Sequence, residues 1–195
     1  MGAQHGKELD ILVEDDVAKA ILLSALPAET RTRVTVTVIG SASALSRQLA
    51  ATYIRGEERP CLAVFDGDQE AKEQDNLTHA KSMAENVQGD FAAWFSQHVA
   101  YLPGDTWPEA WLVQKAANAT ETLCGSLGTD ADTLSDILEY GLQAGKHNEF
   151  FEVSKQLGLD ETTCLKLVSQ NVCSENAVEF DTLVERISCV LTENG

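Results

Sequence analysis

The sequence predicts an α/β protein: a parallel sheet flanked by helices, followed by an all-helical C-terminal extension. Three observations carry this. Short apolar runs alternate with helical patterns through the first half of the chain. The intervening segments are long enough for right-handed crossovers, which place successive strands parallel. Beyond Ala110 only helical spacing remains.

Residues 9–14 (LDILVE) form an apolar run ending in acid and predict a buried parallel strand. Asp15 and Asp16 offer caps for a helix over 17–26, which Pro27 closes. The β-branched run 34–40 (VTVTVIG) predicts the second strand. Ser41 or Ser43 can cap the following helix, which runs to about Gly56. Residues 61–65 (CLAVF) predict a third strand, ending in Asp66-Gly67-Asp68. The polar stretch 69–89 predicts a loop with a partial helix, and 98–102 (HVAYL) a fourth strand. Pro103-Gly104 turns the chain, and Pro108 stands in the first turn of a new helix. Further helices are predicted over 130–144, 148–157, 161–172 and 178–192, with the first ending near 119. The expected division is a sheet domain over 1–112 and a helical extension over 113–195.

At 195 residues, 44% hydrophobic and 23% charged, the chain is long enough for such a core and has the balance of a globular protein. No apolar run spans a bilayer, and the polar start shows no signal peptide, so no membrane association is expected. The five cysteines are scattered without metal-ligand spacing, which predicts free thiols in a reducing cytoplasm. The four histidines, including His5, form no ligand pair. A net charge of −17 argues against a broad nucleic-acid surface, but it fits a carboxylate cluster that needs a cation. Lys7, Arg31, Arg33, Arg47, Arg55 and Arg59 all fall in the first third of the chain, where they would supply local phosphate contacts.

Ligands of open parallel sheets gather at the carboxyl ends of the strands. Glu14 ends the first strand, and Asp66 and Asp68 end the third. On neighbouring strands these carboxylates would repel one another unless a cation stood among them. Mg²⁺ or Mn²⁺ suits an all-oxygen set and supports phosphoryl-transfer chemistry. Read alone, each acid is equally an ordinary cap or turn residue.

Ile11-Leu12-Val13-Glu14, Val38-Ile39-Gly40 and Ala63-Val64-Phe65-Asp66-Gly67-Asp68 together resemble the signature of the Toprim domain, a Rossmann-like fold. Leu102-Pro103-Gly104-Asp105 with Trp107-Pro108-Glu109, followed by a helical tail, is similar to the C-terminal region of OLD (overcoming lysogenization defect) ATP-dependent endonucleases. The resemblance implies a Mg²⁺- or Mn²⁺-dependent DNA endonuclease, with a role in phage defence. It implies Glu14 as acid/base or metal-linked glutamate, and Asp66 and Asp68 as metal ligands. Asp15 or Asp16 would replace a further acid, with the turn one residue shorter, and Lys146 is the candidate tail lysine; Glu109, which begins a helix near the carboxyl edge of the sheet, is by its position an additional candidate ligand. An ATPase domain or subunit would bind ATP elsewhere, because this sequence holds no P-loop. Self-association stays open.

Two other readings compete. One is a catalytically weak Toprim scaffold for DNA binding or assembly, suggested by the irregular Glu14-Asp15-Asp16 turn. The other is a receiver-like phosphoacceptor domain, suggested by acids after the first and third strands. Trp94, Trp107 and Trp111 are expected to fill the core between sheet and tail. Lys146-His147 has a simple reading as a helix-capping pair.

Overall fold

The computed structural model describes residues 7–56, 59–84 and 89–193. His5 and the polar N-terminal segment lie outside them. Four strands are present: β1 (Leu9–Val13), β2 (Val34–Val38), β3 (Cys61–Phe65) and β4 (Val99–Tyr101). They pair in the order β2-β1-β3-β4, all parallel. Leu9 to Val13 face Val34 to Val38 in register, and Asp10 to Leu12 face Cys61 to Ala63. The α/β class and its helical extension are as the sequence predicts.

Helices cover both faces, as a parallel sheet requires. The side-chain alternation of each strand decides which cover it meets. Leu9, Ile11, Val13, Leu62 and Val64 point to one face. Leu12, Ala63 and Phe65 point to the other. The second face is closed by α3 (Ala42–Arg55), α4 (Glu73–Met83) and α5 (Phe91–Gln97). The first is closed by α1 (Asp16–Ala25) and by the later helices. Those are α6 (Pro108–Ala117), α7 (Thr120–Leu127), α8 (Ala131–Gln143), α9 (Glu149–Leu157), α10 (Glu161–Glu175) and α11 (Asp181–Glu193). Leu134, Val153, Val168 and Ile187 share one buried cluster with Ile11 and Val64. The core therefore runs without a break from the sheet into the extension.

Several local expectations are corrected. Pro27 ends α1 but also starts a short helix, α2 (Ala28–Arg33), where a missing N–H costs nothing. The polar stretch after Asp68 is a 3₁₀ turn (Gly67–Lys72) followed by three turns of α4. Only Asn76, Leu77 and Ala80 of α4 are buried, so its apolar periodicity is faint. Helix α7 went unpredicted for the same reason: it buries just Leu123 and Leu127. The last helix opens with a 3₁₀ turn (Ala177–Phe180) before α11. Of the three tryptophans, Trp111 alone sits between sheet and extension, edge-on to Phe180. Trp94 packs on the opposite face against Tyr53 and Phe91 and stacks on His98. Trp107 belongs to the site described next.

Candidate metal centre

The site forms where β1 and β3 end side by side. The backbone N–H of Gly40 bonds to the Glu14 carbonyl at 2.8 Å and that of Leu102 to the Phe65 carbonyl at 2.9 Å, extending both ladders to the strand tips. The backbone N–H of Asp66 then donates to Glu14 Oε1 at 3.4 Å. Glu14 and Asp66 are thus brought together as the strand order requires. Gly67 makes room for this: a Cβ there would overlap the carbonyl oxygen of Gly104. The Pro103-Gly104 turn lies directly against the Asp66-Gly67-Asp68 triplet.

Asp66 is 5% exposed, and its Oδ1 has no hydrogen-bond partner. Burial, and then the charges of Glu14, Asp15, Asp68 and Glu109, push its carboxyl up to about 8. Burial also raises Glu14, partly offset by the backbone N–H groups of Asp66 and Ala42. The Asp15 side chain accepts from the Ala18 N–H at 2.8 Å and caps α1. Burial alone would raise Asp68, but hydrogen bonds from Gln69 and Lys72 and the charges of Lys72 and Lys146 outweigh it and hold its carboxyl low. The Lys72 ammonium lies 3.1 Å from Asp68 Oδ2.

The extension closes the site from the other side. Glu109, in the first turn of α6, is 6% exposed; its Oε1 faces His147 Nδ1 at 3.0 Å and its Oε2 has no partner. His147 stands at φ 67° in the turn between α8 and α9, a strained position for a residue with a side chain. A partner for Glu109, rather than a helix cap, is what that turn supplies. Next to it, Lys146 places its Nζ 4.9 Å from the Trp107 ring centroid, and its charge acts on Asp68. Trp107 Nε1 donates to Glu149 Oε1 at 2.7 Å. The sequence pointed to Lys146 but not to His147, Trp107 or Glu149, which only the α6–α9 packing brings to this edge.

The donor set is hard oxygen throughout, which suits Mg²⁺ or Mn²⁺ rather than a soft metal. The buried, unpartnered Asp66 Oδ1 and Glu109 Oε2 have the character of ligands for such an ion. Among the described residues, however, no group of three or more His, Cys, Asp or Glu side chains stands close enough together to hold one. Asp68 is turned to Lys72, and Asp15 to the end of α1.

The cations are distributed differently from the expected sheet-domain patch. Arg33 pairs with Glu8 and Arg59 with Asp10 at the start of β1, the far end of the strand from Glu14. Lys19, Arg31 and Lys166 line a groove of about 500 Å³ between α1 and α10, floored by Ala20, Leu23 and Leu165. Asp16, two residues beyond Glu14, stands at the same groove. One of its cations, Lys166, thus comes from the helical extension. Among the described residues no helix is long and apolar enough to cross a membrane.

These features define a class: a parallel α/β domain with acidic strand ends, capped by a packed helical extension. The sequence matches no protein-family profile, and no curated protein is detectably similar to it. Solved structures are similar. The C-terminal region of the Xanthomonas campestris pv. campestris OLD protein matches with a TM-score of 0.54 and 14% identity, over 97% of this chain and 98% of that one. The C-terminal region of the Burkholderia pseudomallei OLD protein matches with a TM-score of 0.53 and 12% identity, over 95% and 98%. The chain has the architecture of these C-terminal regions, sheet and extension together.

Proposed function

We propose that this chain is the Mg²⁺- or Mn²⁺-dependent endonuclease module of an OLD-like protein, acting on DNA alongside an ATPase domain or subunit that binds the ATP. The observation that carries the reading is Asp66. A carboxylate this buried, with an unpartnered oxygen and four acidic neighbours, is electrostatically unfavourable until a cation joins it. The shared fold with OLD C-terminal regions supports the choice of chemistry.

Asp66 and Asp68 would hold the ion, with Glu109 as a further ligand, Glu14 beside them as the acid/base or metal-linked glutamate, and Asp15 retained as a cap. When bound, the ion supplies a polarised phosphate and a water of lowered pKa. The residues of the chain do the rest. Asp68 would have to exchange its bond to Lys72 for the ion. Glu14, whose carboxyl is raised by burial, holds or releases a proton at the strand tip. Lys146 meets the negative charge of the phosphodiester at the rim. The groove of Lys19, Arg31 and Lys166, which begins beside Asp16, offers the strand a backbone path in an otherwise acidic molecule.

The test is nicking of supercoiled plasmid with Mg²⁺ or Mn²⁺ against a chelator control. The expected result is metal-dependent cutting that Asp66→Ala abolishes. The pairing of Asp68 with Lys72, and the absence among the described residues of a ready-made ligand group, favour the scaffold reading as the second choice. If neither protein cuts with either metal, the enzyme reading of this chain by itself fails.

A further inference from the structure

Three buried carboxylate oxygens near the site have no partner, and they belong to Asp66, Glu109 and Glu149. The first two are candidate ligands. Glu149 is not, and it is the most buried of the three, at 1% exposure. Its other oxygen accepts the indole N–H of Trp107 at 2.7 Å. A carboxylate so far from water, with one neutral donor and the first-turn dipole of α9 to hold it, stabilises the fold less than an apolar residue of similar size would. What the bond does accomplish is to fix the plane of the Trp107 ring. Trp107 begins α6 at the turn that carries Glu109, while Glu149 begins α9.

That ring has an occupant. Lys146 is exposed, sits between Gly145 at φ 90° and His147 at φ 67°, and makes no hydrogen bond or ion pair among the described residues. A free lysine side chain samples many rotamers. Its contact with the Trp107 face, at 4.9 Å, restricts where the ammonium goes, and its charge is felt at Asp68. We propose that Trp107, locked by Glu149, is a positioning residue that holds the Lys146 ammonium over the approach to Asp66 and Asp68, where a phosphodiester would be met. This proposal rests on the nuclease reading above.

The test has two readouts. Lysines are dimethylated with ¹³C-formaldehyde, and the Lys146 methyl signal is assigned by its loss in Lys146→Arg. Ring current from Trp107 places that signal upfield of the signals from exposed lysines, and Trp107→Leu returns it to theirs. In Mn²⁺-dependent cleavage, Trp107→Leu lowers kcat about tenfold while KM changes less than about twofold. Trp107→Phe, which keeps a ring, recovers most of the loss. Should Trp107→Leu fail to fold, Glu149→Gln serves instead: it keeps shape but loosens the indole, lowering kcat about threefold. A chain that cleaves but shows no upfield Lys146 signal, or keeps wild-type kcat in Trp107→Leu or its Glu149→Gln substitute, overturns the positioning role. A chain with the shifted signal that never cleaves overturns the nuclease reading instead.

Discussion

The N–H of Asp66 reaches across to Glu14 Oε1 at 3.4 Å, so the tips of β1 and β3 are joined through an acid rather than through the sheet ladder. Two carboxyl groups held raised by burial therefore sit on adjoining strands; the Glu14 charge raises Asp66 further, while the Asp66 N–H draws Glu14 back down.

Stability should fall as pH rises. The Asp66 carboxyl is raised from 3.8 to about 8. Between those values the folded chain keeps a proton that the unfolded chain has released, so the contribution is fully present below about 4 and is lost through about 8. Glu14, also raised, acts in the same direction. Asp66→Asn removes this titration, so its stability gain over the wild type should grow across the window to several kcal/mol. Urea unfolding at pH 5 and pH 8.5 measures it. Equal wild-type and variant stabilities at pH 8.5 would refute it.

If Asp68 is a ligand, Lys72, at 3.1 Å and half exposed, competes with the cation for it. An exposed pair of this kind is worth at most about 1 kcal/mol. Lys72→Met should therefore tighten Mn²⁺ binding by up to about fivefold. Titration followed by Mn²⁺ electron paramagnetic resonance gives the affinity; weaker binding in the variant would contradict the competition.

Gly67→Ala should destabilise the chain by at least about 1–3 kcal/mol, because the new Cβ meets backbone at Gly104 and Leu102 that no rotamer change can move. Denaturant midpoints settle this, with Gly125→Ala as the control. Nothing stands within 4 Å of a Cβ at Gly125.

If DNA follows the α1–α10 groove, Lys19→Glu and Lys166→Glu should each weaken binding of a short duplex and lower the salt slope of log K by about 1. Fluorescence anisotropy across a salt series reads both. A slope unchanged in both variants would place the DNA elsewhere.

The strands were legible because each is a dense apolar run bounded by turn residues, and four such runs in series admit few topologies. The Ser41 cap was legible too, and its side chain accepts from the Ala44 N–H. Asp66 and Glu14 could be placed at strand tips from the pattern alone. Glu149 could not. It reads as a first-turn glutamate on a surface helix, and nothing in its neighbourhood announces burial. Trp107 and His147 escaped for the same reason: their roles come from the close approach of α6 to the α8–α9 turn. The turn itself is set by the tight packing of α8 on α9 at Gly141, where a Cβ would strike Val153 Cγ2 at 2.5 Å. Pairings of long sequence separation between helices leave no periodic trace.

One consequence concerns synthesis. Leu9, Ile11 and Val13 share their core with Leu183, Ile187 and Leu191, and Arg33 Nη2 donates to the Leu191 carbonyl at 3.2 Å. A ribosome releases β1 first and α11 last, at about 5–20 residues per second. For several seconds the nascent sheet therefore has one apolar face covered by α1 alone, until the later helices arrive. Nascent chains paused near residue 112 should be clients of ribosome-associated chaperones, and release from them should await the arrival of α11.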